Sequence, residues 1–140
     1  MFKKKGDKKN VQVYDILYVR RGSYRIGSVA MVSPYDTEAL YTREILVLRI
    51  NPDNSYGITP FYLLYLLSHR LTHMQTEGKV LIETTLPNIA DRWKDIELPM
   101  DNDNKVREKI SLRVESVIRN KWKAAEEIIN LREELGNLTT

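Results

Sequence analysis

Residues 105 to 135 run for 31 positions without a glycine or a proline and are rich in Glu, Lys, Arg and Ile. Such a stretch has strong helix formers at most positions and nothing to break it. At helical rise it would extend ~46 Å. Val106, Ile110, Val114, Val117, Ile118, Trp122, Ala125, Ile129 and Leu135 recur mostly at spacings of three and four, the pattern of an apolar helix face. Asp101-Asn102-Asp103-Asn104 supplies capping side chains before it, and Gly136 is the expected stop. A helix this long exceeds what the preceding residues can cover, so part of its stripe is expected to meet another chain or a further segment. The alternative is a helix folded back on its own sheet.

The chain has 140 residues, 42% hydrophobic and 29% charged, which fits one globular domain. It contains no cysteine, so disulfides, cysteine-ligated metals and thiol catalysis are excluded. No apolar run approaches the ~20 residues that span a bilayer. The N-terminal MFKKKGDKKN lacks the apolar stretch of a signal peptide, and a cytoplasmic protein is expected. Residues 1 to 10 hold five lysines and one aspartate, so the remaining 130 carry a net charge of −1 within the overall +3. A basic flexible tail is expected there, and any nucleic-acid surface in the body must be a local cluster.

Two short apolar runs, Val13 to Val19 and Ile26 to Val32, flank Arg20-Arg21-Gly22-Ser23-Tyr24-Arg25. They predict a hairpin whose connection turns at Gly22 and carries three arginines and a tyrosine. Glu44 to Ile50 reads as a third strand, ended by Asn51-Pro52-Asp53-Asn54-Ser55. Thr59-Pro60 then opens a helix, with threonine as the cap and proline at the first helical position. Phe61, Leu64, Leu67, Leu71 and Met74 predict one continuous element from Pro60 to Gln75, stopped by Gly78. Short strands are expected at Val80 to Ile82 and Ile96 to Leu98.

His69 and His73 stand four apart, a spacing at which two imidazoles can share a metal. Arg70 occupies the place where a zincin has its glutamate, and no third ligand follows nearby, so no metal site is assigned. Pro52-Asp53 with Glu77-Gly78-Lys79 formally matches a metal-dependent nuclease pattern. Its acids fall in a turn and at a helix end instead of on strands, which argues against that reading. No glycine-rich phosphate loop or nucleophile elbow is present. The chain reads as a binding module without catalytic residues or cofactor. Its arginine-bearing turn suits DNA, because arginine can bond bidentately to guanine or to phosphate.

The order of these pieces resembles a known family. Asp15-Ile16-Leu17-Tyr18-Val19-Arg20-Arg21-Gly22-Ser23 with Ile26-Gly27-Ser28-Val29-Ala30 is similar to the strand-turn-strand of target recognition domains in type I restriction-modification specificity subunits. Thr59-Pro60-Phe61-Tyr62-Leu63-Leu64-Tyr65-Leu66-Leu67 resembles a tyrosine- and leucine-rich helix of that family. Gly78, Thr84-Thr85, Leu86, Ile89 and Ile96-Glu97-Leu98-Pro99 resemble the segment after it, and residues 105 to 135 its spacer helix. The likeness runs from about Tyr14 to Leu135. Tyr14 replaces the family's usual glycine, and Arg107 stands where glutamine is usual. The residues that precede the aspartate strand in a typical recognition domain are absent, so the chain resembles the C-terminal part of one, with a spacer helix attached.

The residues and the resemblance together predict an α+β protein: a small mixed or antiparallel sheet packed on one central helix, followed by a long protruding C-terminal helix. The expected divisions are a basic tail over 1–10, a partial recognition domain over 11–100 and an assembly helix over 101–140. The resemblance implies double-stranded DNA, methyltransferase and restriction subunits as partners, and the apolar stripe of the long helix adds a homodimer through it as an alternative. It assigns Arg20, Arg21, Ser23, Tyr24 and Arg25, then Lys79, Thr84 and Thr85, to DNA. Ile110, Val114, Val117, Ile118, Trp122, Ala125 and Ile129 are the expected assembly residues. The alternative function is a protein-protein interaction module working through the long helix, with the arginine turn inert.

Overall fold

The computed structural model describes residues 11–22, 25–38, 41–81 and 87–138. Three short strands, β1 (Ile16–Val19), β2 (Val29–Met31) and β3 (Ile45–Leu48), form one sheet in the order β2-β1-β3. Both pairings are antiparallel, with Tyr18 opposite Val29 on one side and Leu46 on the other. In β1 the side chains alternate, so Ile16 and Tyr18 are buried while Leu17 and Val19 are half-buried on the opposite face. The α+β class is observed, with an antiparallel sheet.

The helix expected over residues 60 to 75 is two helices, α1 (Pro60–Ser68) and α2 (Arg70–Gly78). Its start follows the sequence logic: Thr59 Oγ1 accepts the Tyr62 N–H, and Pro60 occupies the first turn. The break falls at His69, whose backbone is extended (φ −68°, ψ 142°). Local side chains take over the hydrogen bonds that the break disrupts. His69 Nδ1 accepts the Leu71 N–H at 3.1 Å, so histidine caps the second helix. Thr72 Oγ1 donates to the Leu66 carbonyl at 2.6 Å, and Ser68 Oγ donates to that of Leu64. An apolar period alone carries no information about such substitutes, so the pattern read as continuous.

Tyr18, Ile16, Ile26, Leu67 and Ile89 form the buried core. Helix α2 reaches it through polar atoms, with the Tyr18 hydroxyl 2.6 Å from Thr76 Oγ1. Among the described residues, neither Val80–Leu81 nor Ile96–Leu98 belongs to a named strand. Leu81 and Asn88 make an isolated bridge, and Ile82 lies outside the described residues. A 3-10 helix, Ala90–Asp95, precedes the extended segment at 96 to 98. That segment pairs with a side chain instead of a strand: Gln75 accepts the Glu97 N–H at 2.8 Å and donates to its carbonyl at 2.7 Å.

The long helix is α3 (Asn104–Leu138). Asp103 Oδ1 accepts the Lys105 N–H at 2.9 Å, the cap expected from the acidic turn. Gly136 does not end it, since one glycine costs a helix only about 1 kcal/mol. The first half of α3 packs against α1, where the Thr59 and Ser111 hydroxyls are hydrogen-bonded.

Asp15 ties the sheet to the loop after β3. It is 1% exposed. Its carboxylate receives Arg49 Nε and an Arg49 terminal nitrogen, each at 2.7 Å, and the Gln12 N–H at 2.8 Å. Burial pushes its pKa upward, but the hydrogen bonds and charge of Arg49 and the Gln12 amide outweigh that and hold it below the usual aspartate value. A depressed carboxylate pKa stabilises the fold above the unfolded-state value of about 4 and loses that contribution as pH falls through the folded value. Asp15→Asn should therefore cost about 2 kcal/mol at neutral pH. Denaturant titrations of both proteins should show the gap narrowing below pH 4; a gap that stays constant with pH would mean the pair is not the source.

Candidate nucleic-acid interface

Backbone hydrogen bonds gather segments far apart in sequence at one end of the sheet. Beyond β1, Arg20 N–H donates to the Glu44 carbonyl at 2.9 Å, and Ile89 N–H donates to the Arg20 carbonyl at 3.0 Å. Arg21 forms a bridge to Asn88, Gly22 N–H reaches the Pro87 carbonyl at 3.0 Å, and Leu81 N–H reaches the Asn88 carbonyl at 2.8 Å. Asn88 is thus shared between the Arg21 turn and the chain leaving α2. The expected DNA residues Arg20, Arg21 and Lys79 are thereby collected from two distant segments.

Their environments differ. Arg20 is half-buried and its Nε donates to the Arg43 carbonyl at 2.9 Å, so it ties the start of β3 to the turn. Arg21 and Arg25 are exposed, and Lys79 is half-buried at the end of α2. Gly22 adopts φ +128°, the turn geometry its position requires. Ser23, Tyr24, Thr84 and Thr85 lie outside the described residues. Sequence reasoning missed Arg43, which is exposed beside the Arg20 contact, and Asn88, the shared bridge residue. Neither lies in a motif; only the cross-chain hydrogen bonds bring them in.

The turn is seated on α2 by Gly27, whose φ is +91°. A Cβ there would lie 3.1 Å from His73 Nδ1 and 3.3 Å from Thr76 Cγ2. His73 also faces Glu77, with Nε2 3.1 Å from Oε1, while His69 serves as the cap of α2. The two histidines therefore have separate local roles. Asp53 lies in an exposed turn, its N–H bonded to Asn51 Oδ1, and Glu77 faces His73. Among the described residues no group of three His, Cys, Asp or Glu side chains is placed to hold a metal.

Helix α3 presents two faces. Toward the body, Ser111 is buried, Arg119 donates to Glu115 and to the Tyr14 hydroxyl, and Trp122 lies 5.8 Å from the Tyr14 ring. Of the expected assembly residues, Ile110, Val114, Ile118, Trp122 and Ala125 are half-buried, Val117 is 66% exposed and Ile129 38%. A second stripe runs through Ile110, Val114, Val117, Ala124, Ile128, Leu131, Leu135 and Leu138, at heptad a and d spacing with Lys121 in the remaining place. Val117, Ile128, Leu131 and Leu138 on it are strongly exposed. The sequence already contained this 3.5-residue repeat; its first two members, Ile110 and Val114, are half-buried, and the exposed part begins at Val117.

No helix among the described residues is long and apolar enough to cross a membrane. Gly27→Ala should destabilise the fold by about 1–3 kcal/mol, because both its φ and its contacts resist a side chain. Thermal melts alongside the exposed-site control Ser28→Ala would check this, and equal melts would refute the seating of the turn on α2. No family model, no curated protein and no solved structure matches the chain.

Proposed function

We propose that this chain is a DNA-recognition module of a restriction-modification system, reading part of a duplex target through the Arg20 to Arg25 turn and docking methyltransferase subunits or a second copy through α3. It acts without catalytic residues of its own. The observation that carries the reading is that Asn88 bridges both Arg21 and Leu81, two residues after Lys79, while Arg20 beside Arg21 bonds the Arg43 carbonyl and Arg25 lies on the same turn. A body with a net charge near zero gains little from diffuse attraction to DNA, so a local cation cluster is what such binding needs. The exposed side chains of Arg21 and Arg25 suit base edges or phosphates, while Arg20 holds the turn in place.

Selection from a randomised duplex pool, with binding of the winners followed as salt rises, tests this. An enriched short motif whose affinity falls steeply with salt is expected. Arg21→Ala and Arg25→Ala should each weaken binding, and one that touches a base should relax preference at that position for about 1–3 kcal/mol. Arg43→Ala should weaken binding equally across sequences if it meets phosphate. Unchanged binding in both turn variants at matched salt would remove the turn from the site. Salt-insensitive behaviour or no binding would favour the interaction-module reading.

The outward heptad stripe supports helix-helix assembly. In an antiparallel pairing of two copies, Lys121 would fall beside Ala124 of the partner subunit and Arg113 beside Glu134 of the partner subunit, which avoids stacking two lysines in one layer. Val117→Asp and Leu131→Asp should each abolish assembly while leaving the melt of the body intact. Light scattering of the unmutated protein at high concentration checks this, and a monomeric mass would leave only a different subunit as the occupant.

A further inference from the structure

The residue before Asp15 has a backbone conformation that its side chain disfavours. Tyr14 has φ +75° at the third position of a turn closed by the Asp15 N–H on the Gln12 carbonyl at 3.0 Å, a place that favours glycine. Such a conformation persists in a bulky residue only where its surroundings hold it. Those surroundings belong to two other elements. The Tyr14 ring meets Phe61 of α1 edge-on, with centroids 5.6 Å apart, and lies 5.8 Å from Trp122 of α3. The Arg119 guanidinium sits 6.0 Å from both the Tyr14 and Phe61 ring centroids, within cation-π reach, and donates to the Tyr14 hydroxyl at 3.4 Å. Glu115 fixes that guanidinium through bonds of 3.0 and 2.8 Å.

We propose that Tyr14 is a positioning residue, a latch that sets the direction of α3 relative to the arginine edge. Its ring bridges α1 and α3, and its backbone leads directly through Asp15 into β1, which is followed at its far end by Arg20 and Arg21. The latch and the cation cluster therefore occupy opposite ends of one short strand. A glycine would fit the turn better and would lose the bridge entirely. That the fixed direction serves recognition rests on the function proposed above; the geometry of the latch does not.

The cysteine-free sequence permits spin labels at two introduced cysteines, Arg70→Cys on α2 and Asn130→Cys on α3, both exposed. Labelled chain diluted in unlabelled chain isolates the distance within one molecule. Unmutated protein and Tyr14→Phe should give one narrow distance distribution by dipolar electron paramagnetic resonance. Tyr14→Gly should broaden it severalfold while the melting midpoint holds, because the turn strain is relieved as the bridge is lost. Trp122→Leu, which leaves the turn untouched, should broaden it as well and keeps the test valid should the glycine variant fail to fold. A distribution that stays narrow in Tyr14→Gly or in Trp122→Leu, or one that broadens equally in Tyr14→Phe, overturns the latch. Duplex binding measured on the same proteins separates the two ideas: a latch that behaves as expected in a chain that binds no DNA leaves the positioning role and removes the recognition role.

Discussion

The bidentate pairing of Asp15 with Arg49 is the constraint on which the arrangement turns. A carboxylate buried to 1% exposure needs every hydrogen bond it can take, and Arg49 and the Gln12 amide supply three. The Asp15 backbone also accepts the Val32 N–H at 2.8 Å. One residue thereby joins the residues just beyond β3, the residue just beyond β2 and the turn entering β1. With that end of the sheet fixed, a one-residue slip of β1 would expose Ile16 and Tyr18 and bury Leu17 and Val19 in their place, so the register has little freedom.

From this anchor, order passes along β1 in two directions. Forward, Tyr18 meets Thr76, and Gly27 lets α2 approach the hairpin closely, so the turn bearing Arg21 and Arg25 rests on a packed helix. Backward, Tyr14 is held between Phe61 and Trp122. The break at His69 belongs to the same logic. It begins a second helix whose Thr72 and Thr76 are fully buried, one bonded to the Leu66 carbonyl and the other to Tyr18. Two buried hydroxyls with partners cost little, whereas unpartnered they would cost about 1–3 kcal/mol each.

The helical and strand segments were legible because their signals are local. Thr59-Pro60, the acidic cap before α3 and the absence of breakers over 105 to 135 act within a few residues of the structures they specify. Where the structure differs from the sequence pattern, a distant group, a substitute hydrogen bond or a small local propensity decides the outcome. The segment at 96 to 98 was strand-like in composition, but the amide it pairs with is Gln75. Gly136 looked like a stop, and its modest helix cost was insufficient to make it one. The candidate site was legible in part: the turn arginines stood out as a group, while Arg43 and Asn88 carried no motif.

By itself, the sequence determined that this chain makes a short antiparallel hairpin, a capped helical region and one very long helix, since capping, turn chemistry and apolar periodicity operate at short range. Tertiary structure alone decided which cations share an edge, where the first helix breaks, which stripe of α3 faces outward and why a tyrosine occupies a glycine position. Except for the helix break, whose substitute hydrogen bonds are local, each of those depends on contacts between residues tens of positions apart, from Arg21 with Asn88 to Tyr14 with Trp122. Such contacts are set by packing and by the satisfaction of buried polar groups, and neither is encoded in any single window of the chain.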